Sequence, residues 1–190
     1  MKFQIAWQNI AKLFFYWLVF CGLLDILINM NDKKLSLILH DIRSAYNVGA
    51  IFRSADGSGI TKIYLSGYTP LPPRIDKIYK TKAEKMIEKT ALGAQENVLW
   101  EHCDDLDMLL EKLKLENCII IALEKTDAAI EINKYDCDFP AVLILGNEVD
   151  GVSDQILKKC DAVVSIPMRG VKESLNVSVA AGIAMYQLLG

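Results

Sequence analysis

An α/β fold, a mostly parallel sheet with helices on both faces, is the class this sequence predicts, and three observations predict it. From Leu35 onward, short apolar runs alternate with stretches of helical periodicity. Two of the runs, "CIIIAL" (Cys118–Leu123) and "AVLILG" (Ala141–Gly146), carry no charge, as strands covered on both faces do. The chain of 190 residues is 52% apolar and 24% charged, which suits one domain with a substantial core.

The elements follow in order. "LSLIL" (Leu35–Leu39) reads as the first strand. In "NVGAIFRSADGSG", Val48, Ile51, Phe52 and Ala55 recur at helical spacing, and Gly57 and Gly59 end the helix. "KIYLSG" (Lys62–Gly67) is a second strand, and "TPLPPR" (Thr69–Arg74) a stiff loop, because its prolines exclude a ladder. A charged stretch runs to Lys89. "NVLW" (Asn97–Trp100) reads as a short strand and Asp104–Leu115 as a helix. After the two apolar strands come a helix over Ser153–Lys159, the strand "AVVSIP" (Ala162–Pro167) and a last helix over Val177–Leu189.

The domain is expected over residues 33–190, with residues 1–32 an apolar N-terminal extension. "LFFYWLVFCGLL" (Leu13–Leu24) is uncharged but shorter than the ~20 apolar residues of a membrane span, and no small-residue cleavage site follows. It reads as an extra packed helix, as a membrane-surface anchor through residues 13–28, or as the product of an upstream start codon, since Met30 opens a natural domain start. The five cysteines are scattered without a C-x-x-C pair, so neither a metal site nor a disulfide framework is indicated, and a reducing cytoplasm is the expected compartment. Cys118 and Cys160 are expected core fillers, as are Tyr64 and Trp100. His40 and His102 have no partner spacing that would give them a metal or acid–base role.

In open α/β sheets, ligands bind beyond the carboxyl ends of the strands. Three loops there carry unusual residues. In the first, Asn47 is placed to cap a helix, and Arg53 follows a little under two turns later. In the second, "LGNEVDGVS", glycines flank an acidic turn. Backbone amides could cradle a ligand, but Glu148 and Asp150 would repel a phosphate. No G-x-x-x-x-G-K-[ST] or G-x-G-x-x-G occurs, which counts against a nucleotide-phosphate enzyme. In the third, Ser174 and Asn176 stand at a helix start after a proline-stiffened strand exit. Taken singly, each loop is explained by capping and tight packing.

Taken together and in order, "NVGAIFRSADGSG", "LGNEVDG" and "IPMRGVKESLNVSVAAGIA" resemble the three motifs of the SpoU (TrmH-type) RNA ribose methyltransferases of the SPOUT superfamily. The resemblance runs from about Leu35 to Gly190. It implies a C-terminal deep trefoil knot, a homodimer, and S-adenosylmethionine as methyl donor to a ribose 2′-hydroxyl. It also implies a cofactor pocket from Leu123, Glu124, Gly146, Asn147, Glu148, Gly151, Ile166, Met168, Ser174 and Leu175. The implied active-site set is Asn47, Arg53, Glu148, Ser174 and Asn176, with Glu148 a candidate to orient Arg53. Arginine does not deprotonate in proteins, so Arg53 is read as a phosphate clamp and alkoxide stabiliser, and the general base stays open.

The net charge of −3 supplies no global attraction for nucleic acid, so RNA contact needs a local patch. "RIDKIYKTKAEKMIEK" provides Arg74, Lys77, Lys80, Lys82, Lys85 and Lys89, and Arg43, Arg169 and Lys172 could extend it from the loops. With no separate RNA-binding domain legible, tRNA is slightly preferred over rRNA as the substrate. The rival reading is a non-catalytic RNA-binding module of the same fold.

Overall fold

The computed structural model describes residues 33–74 and 78–190. The expected N-terminal extension, its possible membrane contact and Lys77 lie outside the described residues. Residues 34–190 form one compact unit.

Among the described residues, seven strands make a single sheet, and each strand pairing in it is parallel. They are β1 (Leu35–His40), β2 (Lys62–Ser66), β3 (Trp100–Cys103), β4 (Ile119–Leu123), β5 (Ile130–Glu131), β6 (Ala141–Leu145) and β7 (Ala162–Ser165), in the spatial order β3-β2-β1-β6-β4-β7-β5. β6 is buried at every position because it has a strand on each side and a core on each face.

The period-two alternation of the strands separates two cores. Leu35, Leu37, Leu39, Leu143 and Leu145 face one side with α1 (Ala45–Ser58), α2 (Lys82–Ala91), the short α3 (Ala94–Asn97) and α6 (Val177–Leu189). Ile38, Tyr64, Ile120, Val142 and Ile144 face the other with α4 (Leu106–Leu115) and the single turn α5 (Asp154–Leu157). The helices thus cover both faces, as expected. Cys118 and Cys160 pack in or against the second core, and burial first of all pushes both thiols up to about 11.

Local chemistry explains the boundaries. Ser44, not Asn47, caps α1: its Oγ accepts from Asn47 N–H (3.3 Å), so Asn47 lies inside the first turn with its side chain free for other work. Gly59 ends α1 in the left-handed conformation at φ 78°. Thr81 and Glu84 close a capping box on α2. The expected strand at Asn97–Trp100 begins only at Trp100, because Gly93 starts the helical turn that takes Asn97. The expected helix at Ser153–Lys159 is the shorter Asp154–Leu157. The two-residue β5 has no period to read and was not foreseen. Among the described residues no helix is long and apolar enough to cross a membrane.

Candidate functional site

A cavity of about 250 Å³ opens beyond the carboxyl ends of β4, β6 and β7, lined by residues 123–125, 145–151, 165, 166, 168, 173–175, 177 and 180. All ten residues expected to hold a cofactor line it: Leu123, Glu124, Gly146, Asn147, Glu148, Gly151, Ile166, Met168, Ser174 and Leu175. Val149, Asp150, Lys125 and Glu173 line it as well and were not foreseen.

The loop after β6 is folded on itself. Asn147 and Gly151 exchange backbone hydrogen bonds of 3.1 and 2.9 Å. A Cβ on Gly146 would sit 2.4 Å from the Gly151 carbonyl carbon, so only glycine permits the turn. Glu124 braces the far end: its Oε2 accepts from Val152 N–H (2.8 Å) and its Oε1 from Lys125 N–H (2.9 Å). Asn147 braces the near end. Its Oδ1 accepts from the N–H groups of Val149 (2.7 Å) and Asp150 (3.0 Å), and its Nδ2 donates to Asp41 O (3.0 Å) and to the Tyr68 hydroxyl.

Glu148 reaches across to the loop after β1. It accepts from Arg43 N–H (2.9 Å), Ser44 N–H (3.1 Å) and Asn47 Nδ2 (2.9 Å). Partial burial pushes its carboxyl up, but these donors and its own amide outweigh that and hold it below the usual carboxylate range. Asn47 Oδ1 in turn accepts from Asn176 Nδ2 (3.1 Å), and Asn176 Oδ1 caps α6 by accepting from Ser178 N–H (2.9 Å) and Oγ (2.6 Å). One line of hydrogen bonds, Glu148–Asn47–Asn176, therefore ties the first turn of α1 to two segments that each lie more than 100 residues further along the chain.

Glu148 and Ser174 lie in the cavity wall, and Asn47 and Asn176 stand behind it. Arg53 is different. It is exposed on α1 and has no hydrogen bond or ion pair among the described residues. The suggestion that Glu148 orients Arg53 does not hold within one chain, because the carboxylate is taken by residues 43–47. His40 is held within the fold, its ring meeting Ser66 Oγ (2.8 Å) and Asp41 (3.3 Å).

Thr69 was missed. It is 4% exposed, donates to Leu39 O (2.9 Å) and accepts from Ile42 N–H (3.0 Å), so it fixes the start of the loop that Glu148 grips. A threonine read only as part of a proline loop gives no local signal of that role.

The charge around the cavity is uneven. Glu124, Glu148, Asp150 and Glu173 line it against Lys125 alone, a field that favours a cationic ligand over an anion. The basic residues lie elsewhere. Lys82, Lys85 and Lys89 are exposed along one stripe of α2 with no ion pair among the described residues, whereas Lys80 is neutralised by Glu88. Arg43, Arg74, Arg169 and Lys172 are exposed on loops. α2 sits close on α1: Thr90 Oγ1 donates to Tyr46 O (3.1 Å), and a Cβ on Gly49 would lie 2.4 Å from Ile87 O. Among the described residues no cluster of ligands could hold a metal ion.

A family model described as the SpoU rRNA Methylase family matches residues 34–186. The 23S rRNA (guanosine-2′-O-)-methyltransferase RlmB of Neisseria meningitidis serogroup B is 36% identical over 165 residues, 86% of this chain and 61% of that protein. The chain thus spans about three fifths of the length of such curated relatives. The crystal structure of the TrmH/SpoU tRNA-modifying enzyme of A. aeolicus superposes with a TM-score of 0.70 at 28% identity, over 90% of this chain and 83% of that one. The SpoU methyltransferase AviRb of Streptomyces viridochromogenes, solved in complex with the cofactor AdoMet, gives a TM-score of 0.71 over 83% of this chain and 57% of that one. At 22% identity, that likeness speaks for the fold.

Proposed function

Because the chain belongs to the SpoU rRNA methylase family, we propose that it transfers a methyl group from S-adenosylmethionine to the 2′-hydroxyl of an RNA ribose. The observation that carries this reading is the Glu148–Asn47–Asn176 line, which draws three loops around one acid-lined cavity.

The residues present suit the cofactor. Gly146 and Gly151 line the cavity where no side chain fits, Gly146 against the Gly151 carbonyl and Gly151 against the Glu124 carboxylate, so the wall there is closely packed backbone. The four lining carboxylates favour sulfonium and ammonium charge. The ten lining residues from Leu123 to Leu175 named above would hold it. When bound, the cofactor supplies an already activated methyl group.

The rest of the task falls to the chain. It must align the acceptor and assist loss of a proton from a weak nucleophile. Ser174 has a hydroxyl in the cavity wall with no protein partner among the described residues, so it is free to contact the ribose. Glu148, held ionised, stays an acceptor that locks the wall. Arg53 binds the adjacent phosphate and stabilises developing alkoxide charge. It does not line the cavity and makes no hydrogen bond or ion pair among the described residues of its own chain, so we assign it to the cavity of a second subunit. A homodimer is supported by an apolar stripe that starts at Leu175, before α6, and continues along the helix through Val179, Ile183 and Tyr186, which are 37, 50, 41 and 61% exposed. We further infer that the cavity loops are threaded as a trefoil knot, a reading supported by β6 returning between β1 and β4.

The exposed lysines of α2 carry the RNA backbone. Residues 33–190 act as the catalytic unit in a reducing cytoplasm, and a protein begun at Met30 retains activity. Calorimetric titration with S-adenosylmethionine and mapping of 2′-O-methyl sites in total RNA, with and without the gene, test the proposal. Heat of binding and one lost site are expected, with tRNA the first fraction to inspect and rRNA the second. No binding and an unchanged map would overturn it.

A further inference from the structure

Tyr68 follows β2 at the same sheet edge as the cavity, and nothing above gives it a task. Its backbone N–H donates to Asp41 Oδ1 (3.1 Å), and its phenolic oxygen meets Asn147 Nδ2. The direction of the second bond is fixed by the other end of that amide. Asn147 Oδ1 accepts from two backbone N–H groups, so the amide cannot be turned round. Nδ2 then gives one proton to Asp41 O (3.0 Å) and the other to Tyr68.

Tyr68 oxygen is therefore an acceptor, and its own proton must go elsewhere. No acceptor for it occurs among the described residues, and the side chain is on a residue 58% exposed. In the free protein that proton is left to water, and a substrate oxygen can take the place of the water. Here the inner function is pinned by the cavity wall and the outer one is presented to solvent. The position also suits a substrate. Asn147 lines the cavity, its neighbour Glu148 grips Arg43, and the loop from Tyr68 runs on to exposed Arg74.

Resting on the methyl-transfer reading, we propose that Tyr68 is a positioning residue for the RNA, donating its hydroxyl proton to a backbone oxygen of the strand entering the cavity and offering its ring to a neighbouring base. Aromatic faces and hydroxyl donors are the usual means of holding an unpaired nucleotide.

The test uses Tyr68→Phe and Tyr68→Ala in the full chain. S-adenosylmethionine affinity is measured by calorimetry, binding of labelled tRNA and rRNA fractions by anisotropy, and KM and kcat on the RNA that the wild type methylates. Tyr68→Phe is expected to weaken RNA binding and raise KM by about 5- to 10-fold, the worth of one hydrogen bond, with kcat and cofactor affinity within about twofold. Tyr68→Ala is expected to lose about a further tenfold in RNA binding through lost stacking. Equal loss of cofactor and RNA affinity would mean that Tyr68 acts only by propping Asn147, and would overturn the proposal. Unchanged RNA binding in both variants would overturn it as well. A wild type that binds RNA but methylates none refutes the activity reading alone, because the anisotropy arm still reports on Tyr68.

Discussion

Replacing Thr69 by valine removes one oxygen atom and leaves the shape of the side chain nearly intact. That atom holds two groups at once: it donates to Leu39 O at 2.9 Å and accepts from Ile42 N–H at 3.0 Å. Thr69 is 4% exposed, and Leu39 and Ile42 are 0% exposed, so water cannot replace it. An orphaned buried donor costs about 1–3 kcal/mol, and the second bond adds about 1 kcal/mol. A loss of about 2–4 kcal/mol is therefore expected. Threonine→serine keeps the oxygen and loses one methyl, which costs about 1 kcal/mol. Urea unfolding followed by circular dichroism reads both. With a slope of about 2 kcal/mol/M, the valine variant should unfold about 1–2 M earlier, with the slope unchanged. The loop carrying the Arg43 and Ser44 amides to Glu148 should loosen too, and S-adenosylmethionine affinity should fall with stability. A valine variant within about 0.5 kcal/mol of wild type, the usual range of neutral surface changes, would refute the reasoning. So would a serine variant as costly as the valine one.

Gly49→Ala sets two effects against each other: alanine favours a helix interior by about 1 kcal/mol, but the new Cβ would meet Thr90 Oγ1 at 2.1 Å and Ile87 O at 2.4 Å. Overpacking against backbone costs about 1–3 kcal/mol or more, so a net fall in melting temperature is expected; a rise would show that α2 can give way. Glu148→Gln keeps the size of the side chain but sets an NH2 donor against the Arg43 N–H, or against Ser44 N–H and Asn47 Nδ2 if turned round, so kcat/KM should fall at least about tenfold, as for loss of one charge-assisted bond, while an unaltered rate would remove the brace from the mechanism. The Glu148 carboxyl is held below its ordinary range, so its stabilising effect is complete above the unfolded carboxylate pKa and is lost as pH falls through the lower, folded one. Cofactor binding should accordingly be flat in this group from neutral pH down to mildly acidic pH and fail only in stronger acid. Replacing Lys82, Lys85 and Lys89 together by glutamine should flatten the slope of log affinity for RNA against log salt by about 2–3, near one per lost phosphate contact. An unchanged slope would place the RNA on another face.

Much of the fold was legible in residue order because it is written in local periods. The uniformly apolar runs became β4 and β6 in the middle of the sheet, and Val48, Ile51, Phe52 and Ala55 became the buried face of α1. The ten cavity residues were also named from sequence, though through family likeness rather than spacing. Errors arose where a local rule had two solutions. Ser44 and Asn47 are both good caps, and Ser44 took the role while the Asn47 side chain, donor and acceptor alike, is held by Glu148 and Asn176 from other loops. Asn97 went to a helical turn because Gly93 began one first.

Residue order alone determined that strands and helices alternate, which faces are apolar and which loops carry polar groups, because those properties depend on neighbours a few positions away. Tertiary structure decided the strand order, the grip of Glu148 on residues 43–47, the double bond of Thr69 and the outward proton of Tyr68. Each of these depends on a hydrogen-bonding group finding its partner across the fold, and in several cases across more than 100 residues. The free energy of such a contact exists only once the two cores have packed and excluded the water that would otherwise serve both groups.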